Sequence, residues 1–240
     1  METITVRVPA TTANLGPGFD CLGLAIDLWN EVTFQPGAAG MQVTVDGLGS
    51  GQLPTDSRNL VARAVQLFYQ AMELSKTPPG LRIHCINRIP LGSGLGSSAA
   101  ATLAGLLGAN ALLGNPADPQ EILRLAAQIE GHSDNAAAAL VGGLVLVAHG
   151  EDDLLIRKIE LPEDSFRNVC LAAAVPQIHL PTRVARAALP REVSLGDAVY
   201  NIGRTALVIE ALRLGDLDLL GQVMDDRLHQ PYRLKLIPGA

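Results

Sequence analysis

Residues 90–100 read Pro90-Leu91-Gly92-Ser93-Gly94-Leu95-Gly96-Ser97-Ser98-Ala99-Ala100. Three alternating glycines let a backbone bend and approach a ligand without a Cβ in the way. Ser97 and Ser98 then open an apolar run that predicts a helix over residues 97–113. The first turn of a helix carries unpaired N–H groups and the positive end of the macrodipole. A glycine loop feeding such a turn is an anion site suited to phosphates. A seryl hydroxyl there can also bind a phosphate oxygen or Mg²⁺. Other glycine loops fit less well. A Walker A loop requires Gly-Lys, which this chain lacks. A Rossmann GxGxxG from Gly92 fails at Ser97. A start at Gly94 meets only the looser GxGxxA form, with no regular βαβ series around it. The HRD and DFG signatures of protein kinases are absent. The ordinary alternative is a tight turn whose glycines pack a helix.

Outward from this loop, Leu81, Ile83 and Cys85 alternate with polar residues and predict a strand leading into it. Residues 59–74 carry apolar positions at helical spacing, so an amphipathic helix is predicted there. Near the N-terminus Ile4, Val6 and Val8 alternate as a strand that Pro9 is expected to end, followed by a polar, glycine-rich loop. Short strands are predicted at 32–34 and 42–45. Helices follow at 120–130 and 134–140, and an apolar strand at 142–148. The acidic stretch 150–153 marks a boundary. Beyond it lie strands at 155–161 and 169–175, then helices at 195–214 and 217–228. Strand-rich and helix-rich stretches alternate irregularly, which predicts an α+β protein.

The chain has 240 residues, 48% hydrophobic and only 3% aromatic, so its core is built from aliphatic side chains. The formal net charge of −6 argues against a general affinity for nucleic acid or anionic membrane. Cys21, Cys85 and Cys170 are odd in number and widely spaced, which reads as reduced thiols in a cytoplasmic protein. No signal peptide or membrane span is legible at the N-terminus or in the apolar windows.

At residues 90–100 the chain resembles the phosphate loop of the GHMP kinases, and other segments sharpen the likeness. Residues 8–24, Val-Pro-Ala-Thr-Thr-Ala-Asn-Leu-Gly-Pro-Gly-Phe-Asp-Cys-Leu-Gly-Leu, resemble the first motif of the homoserine kinase branch. Residues 130–135, Glu-Gly-His-Ser-Asp-Asn, followed by Gly142 and Gly143, resemble its middle segment. Residues 181–190 and 228–239 resemble its substrate segments. The resemblance implies a fold: an N-terminal ATP-binding domain of the ribosomal protein S5 domain 2-like type over residues 1–152, with left-handed crossovers. An incomplete ferredoxin-like domain would follow over 153–240. It implies Mg²⁺-ATP and L-homoserine as ligands, phosphoryl transfer in threonine biosynthesis, and a homodimer. Pro90, Leu91, Gly92, Ser93, Gly94, Leu95, Gly96, Ser97, Ser98, Ala99 and Ala100 would wrap the ATP phosphates. Ser98 and Glu130 would hold Mg²⁺. Asn14, Asp20, His132, Arg186 and Arg233 would surround homoserine, with Asn135, His132 and Glu130 as catalytic groups.

The residue chemistry agrees with those roles. Phosphoryl transfer depends on positioning and charge neutralisation. Glu130 offers hard oxygen to Mg²⁺. A zwitterionic amino acid presents an ammonium, suited to Asp20, and a carboxylate, suited to forked arginines. Each residue also has an ordinary reading. Asn14 can hold a left-handed backbone position, Asp20 can cap a turn, and Glu130 can be a solvated residue at a helix end. His132 can be a loop histidine, Arg186 a surface residue like Arg183, and Arg233 a partner of Asp225 or Asp226. His84, His149, His179 and His229 are read as structural.

The chain departs from the family pattern with Ser133, Ala136 and Ala138 in the middle segment. It also ends without the family's third glycine-rich motif, so impaired catalysis stands as an expectation beside the active kinase. The alternatives are an impaired form that still binds nucleotide, or a GHMP kinase for another small alcohol.

Overall fold

A computed structural model describes residues 2–38, 40–73, 80–151, 153–167, 169–175, 180 and 182–239. Alternating burial produces the strands β1 (Ile4–Ala13), β2 (Leu22–Pro36) and β3 (Met41–Gly47). Helix α1 (Leu60–Ala71) is capped by Asn59, whose side chain accepts from the Val61 N–H. It leads to β4 (Leu81–Asn87), the glycine loop of residues 90–96, called the phosphate loop for the resemblance it carries, and α2 (Ser97–Leu112). Helices α3 (Pro119–Glu130) and α4 (Asp134–Val141) follow, then β5 (Leu144–His149) and β6 (Leu154–Ile159). The chain continues through α5 (Glu163–Phe166), α6 (Thr182–Ala187), α7 (Leu195–Leu214), α8 (Leu217–Val223), α9 (Gln230–Arg233) and a 3-10 turn at Leu234–Leu236.

The long strand β2 organises the sheet. It pairs antiparallel with β1 along its length, with β4 through residues 31–36 and with β5 through residues 22–24. The parallel partner β3 lies outside β4, and β6 lies outside β5, so the strand beyond residue 152 extends the same sheet. One face of the sheet packs against α1, α2, α3 and α4. Phe34, Phe68, Leu81, Ile83, Leu103 and Leu106 are fully buried there. Each such side chain contributes roughly 1.5–3 kcal/mol over its exposed state. Helix α2 is central because it is made of small residues: Ala100, Ala104, Gly105, Gly108 and Ala109 are buried along it. A smaller cluster of Leu22, Val208 and Val223 joins α7 and α8 to β2.

The α+β class holds, with local corrections. The short strand expected at 32–34 is the far end of β2, which starts at Leu22 because β1 and β5 supply ladders along its first half. Pro9 does not end β1. The strand runs on to Ala13 because the register shifts between Pro9 and Ala10, and a bulge accommodates the N–H that proline lacks. Residues 169–175 form no strand. Alternation needs a neighbouring ladder to become a strand, and none lies beside this stretch among the described residues; Cys170 and Leu171 are exposed. The last predicted helix stops at Val223 rather than Leu228. The Asp226 carboxylate accepts from the N–H groups of Leu228, His229 and Gln230 and from Asn201 Nδ2 at 2.6–3.0 Å. Such local bonds compete with helix continuation.

Candidate active site

The phosphate loop has the conformation its glycines allow. Gly92, Gly94 and Gly96 all have positive φ, at 65°, 76° and 69°. Gly96 is the left-handed N-cap of α2 and supplies no side-chain cap, and no acidic residue lies in the first turn. The helix therefore presents its open N–H groups and positive dipole end without a competing carboxylate. The loop is braced behind that opening. The Thr11 N–H donates to Leu95 O at 3.1 Å, and Ser93 Oγ donates to Pro90 O at 2.8 Å.

Gly92, Ser93, Gly94, Gly96, Ser97, Ser98 and Ala99 line a cleft of about 540 Å³. Pro90, Leu91, Leu95 and Ala100 do not line it; they carry the bracing bonds, surface contacts and core contacts of the loop. The same cleft is lined by Asn14, Asp20, Glu130, His132, Asn135, Arg186 and Arg233. Every residue assigned by resemblance to substrate or metal thus borders one space, although they span more than two hundred positions of sequence.

Glu130 ends α3, where Gly131 closes the helix in a left-handed cap. One carboxylate oxygen, Oε1, accepts from Ser98 Oγ at 2.9 Å and Thr102 Oγ1 at 2.7 Å. Thr102 is fully buried, one turn beyond Ser98 on the same face of α2. The sequence signal for it was the i, i+4 spacing of two hydroxyls.

Asp134 is buried at the start of α4. Its Oδ1 accepts from His132 Nδ1 at 2.7 Å and from the Asn135 N–H at 2.8 Å. Burial works to raise this carboxyl, but the bond and charge of His132 and the Asn135 N–H outweigh it and hold it below the usual range. The bond to Asp134 in turn lifts His132 against the effect of its own burial. Asn135 accepts from Thr11 Oγ1 at 2.8 Å, which ties α4 to β1 beside the phosphate loop.

Asn14 and Asp20 both adopt left-handed backbone, with φ of 72° and 56°. Asn14 Oδ1 accepts from the Asp20 N–H at 3.0 Å, so its ordinary turn-forming role is real. It also faces the cleft. Arg186 is no ordinary surface residue: its guanidinium forms a two-pronged pair with Asp20 at 2.6 and 3.0 Å. Arg233 pairs with neither Asp225 nor Asp226. It makes no ion pair among the described residues, and its guanidinium sits 4.9 Å from the centre of the Phe19 ring. Burial, and then the nearby Arg186 charge, lower its proton affinity.

His229 packs beside this group, as expected of a structural histidine, with Nε2 donating to Gly16 O at 2.8 Å. His179 lies outside the described residues. The Cys21 thiol is pushed up to about 11, first by burial and then by the charges of Asp134 and Asp20, which keeps it protonated and unreactive.

The region around the phosphate loop matches a family described as the GHMP kinases N terminal domain, over residues 59–143. A homoserine kinase of Moorella thermoacetica is 44% identical over 98% of this chain and 77% of that protein. One from Carboxydothermus hydrogenoformans is 43% identical over 98% of this chain and 75% of that protein. Among solved structures, a homoserine kinase from Cytophaga hutchinsonii superposes with a TM-score of 0.81 at 33% identity. That match covers all of this chain and 76% of the other. A mevalonate kinase from Methanococcus jannaschii superposes at 0.67 over 93% of this chain and 76% of that one; at 14% identity this is a likeness of fold alone.

Proposed function

The chain belongs to the homoserine kinases of the GHMP superfamily, and on that premise we propose that it phosphorylates L-homoserine from ATP in threonine biosynthesis. The substrate hydroxyl oxygen forms a bond to the γ-phosphorus, the bond from that phosphorus to the β,γ-bridging oxygen breaks, and ADP leaves. Residues 90–100 and the α2 N-terminus hold the phosphates and neutralise charge that develops during transfer.

Magnesium fits the donor set. Ser98 and Glu130 offer a hydroxyl and a carboxylate, the hard oxygens it prefers. Glu130 Oε1 is occupied by two hydroxyl donors, while Oε2 has no protein hydrogen bond among the described residues. When bound, the ion supplies charge neutralisation at the phosphates.

The observation that carries the substrate reading is the Asp20–Arg186 pair beside Arg233, in the same cleft as the phosphate loop. A neutral alcohol entering here would separate opposite charges and replace neither. A zwitterion replaces both: its ammonium takes Asp20 and its carboxylate takes the two arginines. Asn14, His132 and Asn135 border the space left for the hydroxyl. The lowered proton affinity of Asp134, already bonded to His132 and Asn135, makes it a poor base. In this reading the hydroxyl proton passes to the transferred phosphoryl oxygens or to water rather than to Asp134.

Residues 1–152 form the ATP-binding part in this reading, and 153–240 contribute Arg186 and Arg233. The acidic charge supports a cytoplasmic enzyme without nucleic-acid or membrane partners; no described helix is long and apolar enough to cross a membrane. An exposed apolar stripe on α7 supports a homodimer.

The test is coupled ADP release from Mg-ATP with and without L-homoserine. Homoserine-dependent release is expected, with the KM for homoserine rising roughly 10- to 100-fold in Arg233→Ala, the range for losing a charged hydrogen-bond partner. Equal turnover of mevalonate or galactose would sink the assignment.

A further inference from the structure

Phe19 lies inside the glycine-rich N-terminal loop, next to Asp20, and three side chains from two distant segments, α6 and the α9 turn, converge on its ring. The Arg233 guanidinium carbon lies 4.9 Å from the ring centre and that of Arg186 lies 5.7 Å from it. The His229 ring stacks on it with centroids 5.0 Å apart and planes 24° apart. An aromatic face attracts cations within about 6 Å through its quadrupole.

The two arginines need such a partner. They are like charges close enough that Arg186 lowers the proton affinity of Arg233. Each has a buried Nε with no hydrogen-bond partner. Asp20 satisfies the tips of Arg186 and none of Arg233. The ring places negative π density beside both charges without using their N–H donors. Those donors therefore stay available to a ligand.

The platform itself is anchored. His229 Nε2 donates to Gly16 O, so this nitrogen carries the proton, and burial keeps the ring neutral. No third cation is added to the group. The buried Asp226 carboxylate fixes the backbone of residues 228–230, just before Arg233. Thr205 and Asn201 of α7 donate to Pro17 O and hold the loop that carries Phe19.

We infer that Phe19 is a positioning residue that sets the spacing of the Arg186 and Arg233 guanidiniums for the substrate carboxylate. It acts through cation–π attraction and touches no reacting atom. This inference rests on the amino-acid kinase reading above.

The test replaces Phe19 in the full chain with mono-, di- and trifluorophenylalanine, which keep the shape of the ring and withdraw its π density stepwise. The expected result is a stepwise rise in the KM for homoserine, reaching roughly 3- to 10-fold, with kcat and the KM for ATP nearly unchanged. The Nε–Hε NMR signals of Arg186 and Arg233 should shift along the same series. Phe19→Leu should raise the KM further and move both signals most. A flat KM across the series, with wild-type protein active on homoserine, overturns the inference. Absence of homoserine-dependent ADP release in the wild type would instead overturn the kinase reading. If Phe19→Leu fails to fold, the fluorinated series still decides, because it changes charge distribution with little change in volume.

Discussion

At the scale of single residues, the site is a set of charges that hold one another before any ligand arrives. His132 and Asp134 are 2.7 Å apart, with side chains 11% and 2% exposed, so their bond is largely shielded from solvent. Its effect on stability follows from the two titrations. His132 has a raised folded pKa, so its contribution is full below its unfolded value near 6.5 and is lost as pH rises through the folded value. Asp134 has a depressed folded pKa. Its contribution is full above its unfolded value near 3.9 and is lost as pH falls through the folded one. The pair therefore stabilises most between about pH 4 and 6.5. Asp134→Asn should cost about 1–3 kcal/mol in that window, or several degrees of Tm, and the gap should narrow toward pH 9. Melting curves at pH 5, 7 and 9 check this; a gap that stays constant contradicts it. His132 could be nominated from sequence through its place in the local string Glu-Gly-His-Ser-Asp-Asn, whereas the role of Asp134 as its partner emerges only from the structure. The Asp20–Arg186 bond could not be nominated from sequence either, since 166 positions separate its partners and both side chains are equally plausible alone.

At the scale of elements, the phosphate loop shows what sequence carries well. Three alternating glycines before Ser97 announced a turn of unusual backbone and a bare helix N-terminus, and both are present. Gly94 and Gly96 have different reasons. Gly94 has φ of 76° with no atom within 4 Å of where a Cβ would stand, so conformation alone selects it. Gly96 has φ of 69°, and a Cβ there would collide with Thr11 Oγ1, the hydroxyl that donates to Asn135. Gly94→Ala should cost about 1–2 kcal/mol from left-handed backbone and weaken nucleotide binding by adding bulk to the cleft. Gly96→Ala should cost more, because it also breaks the Thr11–Asn135 link between β1 and α4. Urea unfolding of both variants measures the order; equal losses would show that the Thr11 contact is soft. Where sequence reading failed, a non-local partner decided. Pro9 looked terminal until β2 supplied a bulged register, and residues 169–175 looked like a strand but have no ladder to join. Asp226 sat within a helical pattern, yet its carboxylate collects the N–H groups of the next turn instead.

At the scale of the whole molecule, burial is uneven. The sheet and helices α1 to α4 enclose a large aliphatic core, whereas among the described residues the cluster joining α7 and α8 to the sheet has three buried members, Leu22, Val208 and Val223, with partly buried side chains such as Leu15, Leu212 and Leu220 packed around them. Helix α7 is held to the first loop largely by polar bonds, from Asn201 and Thr205 to Pro17 O. Its other side carries Leu195, Val199 and Ile202 at 81%, 59% and 69% exposure, spaced as one helical stripe. Scattered apolar residues on a surface are ordinary, but a contiguous stripe marks a contact surface. A second copy of the chain is the occupant that the homodimer reading supplies. Symmetric pairing would place the same stripe on both sides of the contact. Sedimentation velocity should then show mass-dependent association over micromolar concentrations. The double variant Leu195→Lys, Ile202→Lys should shift the population to monomer and remove the concentration dependence of Tm, while leaving the monomer folded, because neither side chain is buried in the single chain. Dimerisation that survives both charges would put the contact elsewhere. A wild type that stays monomeric at every concentration would leave α7 as exposed surface with no second copy behind it.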